Sequence, residues 1–323
     1  MDEPNAETWD CVVVGGGAAG LSAALVLGRA RRRTLLVDAG AQSNLAAAAV
    51  GGLLGHDGRP PAELYAAGRL ELGRYPAVVL RAGEVVAGAR RPGGGFELEL
   101  DDGRRETARR VLLATGMEYR PPALPGIAER WGGTVFHCPF CHGWEVRERP
   151  LGVLDRGPEG ARRALLLSAW SDDVTLLGDG PAELGEEDAR RLAGAGVAVD
   201  ERPVAGLRGL DAELEAILFE NGEELPCGGL QVPVTLHRHS DLATQLGAVA
   251  ANPNPLTAEA VAVDPMGTTA VPGLSAAGDL GGGMPSVANA VASGAKAAAV
   301  MVHGLAEERA EANLRSGRPR AGG

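Results

Sequence analysis

The stretch that most constrains this chain is Cys11–Ala30. It opens on Cys11-Val12-Val13-Val14, a β-branched run with no polar residue to mark a solvent face. Such a run fits a parallel strand buried on both sides. Gly15-Gly16-Gly17-Ala18-Ala19-Gly20 follows at once, and Leu21–Ala30 reads as a helix. Gly15, Gly17 and Gly20 match G-x-G-x-x-G. The first glycine permits a tight turn, the second lets backbone approach a pyrophosphate, and the third lets the helix pack closely on the strand. The amides at the helix N-terminus would then face the phosphates. Thr34–Val37 reads as the second strand. It ends at Asp38, 18 residues beyond Gly20, where a ribose-binding carboxylate belongs. A chance glycine-rich turn would lack this succession of strand, glycines, helix, strand and acid.

A chain of 323 residues is long enough for two domains and a large core. Its 48 glycines and 3% aromatic content fit an α/β protein with many tight turns. The net charge of −11 argues against a nucleic-acid partner, and an acidic surface mostly serves solubility. Two of the four cysteines share one CxxC, which suits a reducing compartment better than a disulfide scaffold. Met1–Asp10 has no basic start of a signal peptide, and glycines interrupt the apolar run Cys11–Leu27. The expectation is a cytoplasmic protein with no membrane partner.

Further along, Gln42–Asp57 reads as an irregular segment that includes Asn44 and Gly51-Gly52. A helix should run from Pro60-Pro61 to about Gly73, and short strands over Ala77–Leu80, Glu84–Ala89 and Phe96–Leu100. Val111–Ala114 is another buried strand, ending in Thr115-Gly116. Tyr119–Gly126 is a proline-rich connector and a domain boundary. Pro150–Asp155, Glu159–Ala169 and Asp173–Leu177 then form a second strand–helix–strand unit. Its turn reads Asp155-Arg156-Gly157-Pro158-Glu159-Gly160, so a carboxylate replaces the first glycine and Glu159 stands inside the loop. Glu183, Glu186, Glu187 and Asp188 follow the second strand. Coulomb repulsion should oppose an anionic dinucleotide here, with Arg156, Arg162 and Arg163 as the opposing influence. This half reads as scaffold, and NADPH is a doubtful ligand. Val261–Val263 reads as a strand, Ser286–Gly304 as a long small-residue helix, and Glu307–Gly323 as a frayed tail.

Between the connector and the second unit lies His137-Cys138-Pro139-Phe140-Cys141-His142-Gly143-Trp144-Glu145. Two cysteines at this spacing can close a small disulfide loop, and a helix opening there favours a thiolate. Pro139 suits a first helical position, and His142 offers a proton acceptor beside the second cysteine. The pair could instead be half a zinc site or inert core cysteines. Cys11 and Cys227 lack CxxC partners, and His137 and His142 lie too close in sequence for a known zinc spacing, so no metal ligands are assigned.

Four ordered elements carry a resemblance: the first glycine turn with Asp38, Ala114-Thr115-Gly116, the CxxC, and Ala277-Gly278-Asp279. In this order they resemble the low-molecular-weight thioredoxin reductases, a family of FAD-dependent pyridine nucleotide-disulfide oxidoreductases. The resemblance implies an α/β fold of two Rossmann-like three-layer domains. An FAD domain would be built from both chain ends (1–118 and 236–323), and a central inserted domain (119–235) would carry the CxxC. It implies that Gly15, Gly17 and Gly20 hold the FAD pyrophosphate and Asp38 the adenosine ribose. Asp279 would meet the ribityl or phosphate side, and the backbone near Val287 the isoalloxazine ring. Asn44, Thr115, Gly116 and Gly278 complete the expected cofactor set. Cys141 would be the flavin-proximal thiol and Cys138 the one exchanging with substrate. Thioredoxin reductases usually carry an acid after the second cysteine and an intact second glycine turn. This chain has His142 and Asp155 instead, which resembles the dithiol-oxidase branch with its Cys-Pro-Phe-Cys-His-Gly motif. The expected activity is therefore oxidation of a small-molecule dithiol by oxygen, with His142 as base. The alternatives are an NADPH- or ferredoxin-fed reductase of a thioredoxin-like protein, and a flavin-bound redox sensor. A homodimer is expected.

Overall fold

A computed structural model of the chain describes residues 8–316. Strands β1 (Trp9–Val14), β2 (Thr34–Asp38), β3 (Val78–Ala82), β4 (Val85–Arg90), β5 (Phe96–Leu100) and β6 (Arg105–Leu113) occupy the first part of the chain. The helices in chain order are α1 (Ala18–Arg29), α2 (Pro61–Leu72), α3 (Pro139–His142), α4 (Gly157–Leu167), α5 (Glu186–Gly194), α6 (Leu242–Gln245) and α7 (Val287–Arg315). The chain divides into two compact units. One gathers the chain up to Ser43, Ala62–Glu118 and the chain from Leu236 onward. The other comprises Asn44–Pro61 and Tyr119–Thr235.

The first unit is built on a sheet of order β3-β2-β1-β6-β5-β4, with Leu274–Ala276 added on β6. β1 runs parallel to both neighbours, with Val13 opposite Leu36 and Leu112. The β-branched run of β1 is fully enclosed, as its lack of polar residues requires. Cys11, Val13, Leu36 and Leu112 form one core face, covered by Ala23, Ala24 and Leu27 of α1 and by Ala297, Ala298, Met301 and Leu305 of α7. Truncating a fully buried leucine such as Leu305 to alanine should cost about 2–5 kcal/mol. α1 and α7 cross in near backbone contact, because a Cβ on Gly294 would collide with the Ala19 carbonyl.

Three features of this unit depart from the sequence reading. β6 begins at Arg105, six residues before the apolar run, because its first half pairs antiparallel with β5 and needs no apolar residues of its own. α7 continues to Arg315 where a frayed tail was expected, and Glu308 is clasped by Arg109 and Arg110 of β6. Residues 317–323 of that expected tail lie outside the described residues. Val261–Val263 makes only an isolated bridge, Ala250 to Val261, rather than a strand.

The second unit carries a five-stranded parallel sheet of order Ala198–Asp200, Val174–Leu177, Leu151–Leu154, Gly229–Gln231, Val135–Phe136. On one face, Val153, Leu176 and Phe136 pack with Leu167 of α4 and Leu192 of α5. On the other, Leu154, Leu177 and Leu230 pack with Val204, Ile217 and Phe219 of an antiparallel three-stranded sheet. The unit is thus three layers deep. Arg130 is buried and ties loops to the sheet, donating to the carbonyls of Glu213, Gly126 and Gly209 at 3.2, 3.0 and 2.7 Å.

One segment falls on the other side of the expected division. Asn44–Pro61, assigned with the first domain in the sequence reading, packs in the second unit. The reason is steric fit. A Cβ on Gly51 would lie 2.8 Å from the Cys141 carbonyl oxygen, and one on Gly132 would meet Ala46 at 3.1–3.2 Å.

Candidate active site

In the first unit, the glycine turn folds as its spacing demands. Gly15 adopts φ +106°, a conformation that favours glycine, and a Cβ there would collide with the Ala114 carbonyl. A Cβ on Gly20 would collide with the Gly15 carbonyl, so the third glycine lets α1 sit directly on the turn. Gly17 differs. A Cβ there meets only Gln42, at 3.5 Å, so its direction is open. Gly17 is the N-cap of α1, and neither its amide nor that of Ala18 has a protein acceptor among the described residues.

Asp38 closes β2 beside this turn. Its Oδ1 accepts from the amides of Gly16 and Gly40 at 3.2 and 3.0 Å and from Gln42 Nε2 at 2.9 Å, and its Oδ2 pairs with Arg69 at 2.6 Å. Each carboxylate oxygen has about two acceptor positions, and Oδ2 engages only Arg69, so Oδ2 retains room for one further donor, such as a ribose hydroxyl. Sequence reasoning missed two parts of this arrangement. A Cβ on Gly16 would collide with the Asp38 carboxylate, so the middle glycine is also required. Arg69 reaches Asp38 from α2 with no local motif to announce it.

Of the remaining members of the expected cofactor set, Thr115 and Gly278 lie against the turn and the first residues of α1. Thr115 and Gly116 follow β6, and a Cβ on Gly15 would touch Thr115 Cα at 3.0 Å. Gly278, with φ +70°, lies against Ala19 and donates its amide to Ser293 Oγ at 2.9 Å. Asp279 follows on a short 3-10 turn, and Val287 is the first residue of α7, capped by Ser286. Asn44 belongs to the second unit.

In the second unit, Cys138 and Cys141 are joined by a disulfide, with Cα atoms 5.4 Å apart. Cys138 is the N-cap of the short helix α3, Pro139 occupies its first turn, and the Cys141 amide donates to the Cys138 carbonyl at 3.2 Å. The loop is thus pre-formed by backbone, and the thiols need little motion to close. His142 lies with its ring parallel to that of Phe136, centroids 5.7 Å apart, and both ring nitrogens are buried without a well-formed hydrogen bond. Burial lowers its pKa, opposed by the nearby Cys138 backbone and by Glu145. It is therefore a neutral base at neutral pH. His137, absent from the expected site, is also enclosed, between Tyr119 and Trp131, and burial lowers its pKa to about 4. Cys11 and Cys227 have their pKa values pushed up to about 12 by burial, which leaves them as inert thiols. Among the cysteines, Cys138 and Cys141 are the pair that forms a disulfide.

The second glycine turn is built differently from the first. α4 starts at Gly157, one position earlier than α1 does at its own turn. The Arg156 amide is taken by Asp155 Oδ1 and the Gly157 amide by the Ala182 carbonyl, both at 2.8 Å. Pro158 has no amide to give. The Gly160 amide goes to the Arg156 carbonyl at 3.2 Å. Asp155 pairs with Arg163 at 2.9 Å and Glu159 with Arg162 at 2.6 Å. The expected obstacle, bare carboxylate repulsion, is therefore corrected. The acids are paired, and what is lost is the set of amide donors.

The two units thus hold a dinucleotide-type glycine turn and a CxxC disulfide. Residues 9–294 match the model of the family described as pyridine nucleotide-disulphide oxidoreductase. The chain belongs to that family. It is 34% identical over 294 residues to thioredoxin reductase tcpT of Claviceps purpurea, covering 88% of this chain and 90% of that one. An oxidoreductase from Agrobacterium tumefaciens superposes with a TM-score of 0.86 at 36% identity, covering 92% and 98% of the two chains. The crystal structure of HlmI superposes with a TM-score of 0.89 at 36% identity, covering 98% of each chain. The protein is a thioredoxin reductase-like, FAD-dependent oxidoreductase. The first unit fits that cofactor: free amides at the head of α1, an open Cβ direction at Gly17, and one acceptor position left on Asp38. No helix among the described residues is long and apolar enough to cross a membrane.

Proposed function

We propose that this enzyme oxidises a small-molecule dithiol to a disulfide, with dioxygen as the final electron acceptor. The observation that supports this reading is the spent head of α4. Arg156 and Gly157 have committed their amides, and Pro158 has none, so few donors remain for a second dinucleotide's pyrophosphate. Electrons are then drawn from the thiol side rather than from NADPH.

The substrate enters as a thiolate and attacks Cys138 Sγ, breaking the Cys138–Cys141 bond and leaving Cys141 as a thiolate. The second substrate thiolate attacks the substrate sulfur of the mixed disulfide and releases Cys138. The product leaves as a disulfide, and the enzyme keeps two electrons as a dithiol. His142, held neutral by burial beside Cys141, takes the proton that generates the attacking thiolate. FAD, when bound, supplies the two-electron acceptor that restores the disulfide and hands the electrons to dioxygen as peroxide. Gly15, Gly17, Gly20, Asp38, Thr115, Gly116, Gly278, Asp279 and the backbone at Val287 form its proposed holder. Cys141 is the flavin-proximal thiol, and the working form is a homodimer.

The rival reading is a reductase acting on a thioredoxin-like protein. It draws on the name of tcpT and on Arg156, Arg162 and Arg163 at α4. An oxygen electrode separates the two. With dithiothreitol as substrate, the oxidase should consume one dioxygen per disulfide formed, and Cys138→Ser should abolish uptake. No uptake, together with NADPH-driven reduction of a thioredoxin-like protein, would favour the reductase.

A further inference from the structure

The first unit contains a cationic cavity far along its strands from the glycine turn. β6 is parallel to β1 and ends at the turn, so the ligand crevice expected of such a sheet lies at its carboxyl end. Earlier in β6 the sheet forks. Arg105–Ala108 pair with β5, whereas Val111–Leu113 pair with Leu274–Ala276. Arg109 and Arg110 stand at the fork, where the two partner strands diverge. The opening is a cavity of about 640 Å³, walled by Gly94-Gly95-Phe96, Pro272-Gly273 and the stretch of α7 from Val300 to Glu308. That volume falls within the range of small-molecule sites, about 300–1,000 Å³.

Its charge runs against the rest of the molecule. The chain as a whole carries −11, yet Arg90, Arg91, Arg109, Arg110 and His303 face this cavity, against Glu307 and Glu308. Glu308 is shared by Arg109 and Arg110, and Asp10 also meets Arg109. Arg90 and Arg91 have no carboxylate partner among the described residues. Arg110 is largely buried, 14% exposed, and its Nε is enclosed without an acceptor. The fold makes room for it: a Cβ on Gly304 would overlap the guanidinium. Arg110 keeps one enclosed N–H beyond its pair with Glu308, its neighbours Arg90 and Arg91 have no carboxylate of their own among the described residues, and the guanidinium fork matches phosphate geometry.

We propose that this fork cavity binds a small anion bearing paired phosphate groups, at a site separate from the flavin holder. Arg90 and Arg91 supply the mobile outer contacts, and Arg110 the fixed inner one. The site is independent of the direction of electron flow assigned above.

The test is calorimetric titration of the FAD-loaded full chain with inorganic pyrophosphate. FAD occupancy keeps the glycine turn from competing. Saturable binding that weakens with added salt is expected, and the double variant Arg90→Gln/Arg91→Gln should weaken it roughly tenfold or more. Both residues are exposed, so the variant should fold and keep its flavin. The charge-matched control Arg190→Gln/Arg191→Gln, on α5 of the other unit, should bind as the wild type does. Absence of binding at millimolar pyrophosphate would overturn the proposal. So would equal weakening by both double variants, since that would report net charge rather than a site.

Discussion

The two helix heads, α1 after Gly15–Gly20 and α4 after Asp155–Gly160, descend from one plan and end in different states. Each follows a buried parallel strand, and each keeps its third glycine. A Cβ on Gly20 would collide with the Gly15 carbonyl, and one on Gly160 would lie 3.0 Å from the Asp155 carbonyl carbon. The packing of helix on strand is therefore preserved in both. The donors are not. Gly17 and Ala18 leave their amides open, whereas the matching Gly157 donates to Ala182 and Pro158 has no amide. Keeping the glycine that serves the fold while losing the donors that serve a phosphate separates scaffold from site. In the second unit the proposed chemistry lies instead at the CxxC, with His142 next to it in sequence.

The largest effect should come from closing the open head. Gly17→Val places its branches where only Gln42 lies nearby, so the protein should fold but emerge without flavin. Absorbance at flavin wavelengths and circular dichroism of the same preparation check both halves of that statement. A yellow variant would break the comparison at its first term.

The next effect concerns where the second unit keeps its function. His142→Asn should lower kcat/KM for a dithiol by about a hundredfold or more, since a positioned base contributes on that scale. Because burial depresses the His142 pKa, the wild type should stay active below the usual imidazole pKa and lose activity only as pH falls through the lowered value. A variant with wild-type kcat/KM and pH profile would remove His142 from the mechanism.

Repairing the closed head should have a smaller effect of opposite sign. Asp155→Gly with Pro158→Ala frees the Arg156 amide and supplies a new one. Two recovered phosphate contacts are worth roughly 3 kcal/mol, so NADPH should reduce the flavin tenfold to a hundredfold faster at a given concentration. An unchanged rate would mean that the committed amides do not limit reduction by the nucleotide.

The last effect is on acid stability, and it originates in the second unit. The His137 pKa is lowered in the folded state to about 4, chiefly by burial, while the unfolded chain titrates near 6.5. Between those values the unfolded state binds more protons, so stability is full above about 6.5 and is lost as pH falls towards 4. The His137 share of that loss should approach about 3 kcal/mol, and His137→Phe should make the slope shallower while the buried His142 keeps the remainder. Trp131 fluorescence, read beside His137, follows the transition. An equal slope in the variant would assign the acid sensitivity elsewhere.

What could be read from the sequence was whatever is encoded locally. The glycine turn, Asp38, the CxxC and the buried runs of β1 and β2 each declare themselves through spacing or composition. The sequence was silent where a partner comes from far along the chain. Arg69 reaches Asp38 across 31 residues, and Gly51 lies against Cys141 across ninety, neither with a local pattern. The first half of β6 was missed because a strand paired between neighbours needs no apolar run. At α4 the sequence shows carboxylates and arginines together but not how they meet, and the structure pairs Glu159 with Arg162 and Asp155 with Arg163.

The central claim is that electrons enter from thiols and not from a nucleotide. It is tested most directly by stopped-flow mixing of the oxidised, FAD-loaded enzyme, under nitrogen, with millimolar NADPH or with a small dithiol. The account predicts rapid flavin bleaching by the dithiol and slow or absent bleaching by NADPH. Complete bleaching by NADPH at the rate of turnover would contradict it and make the enzyme a reductase.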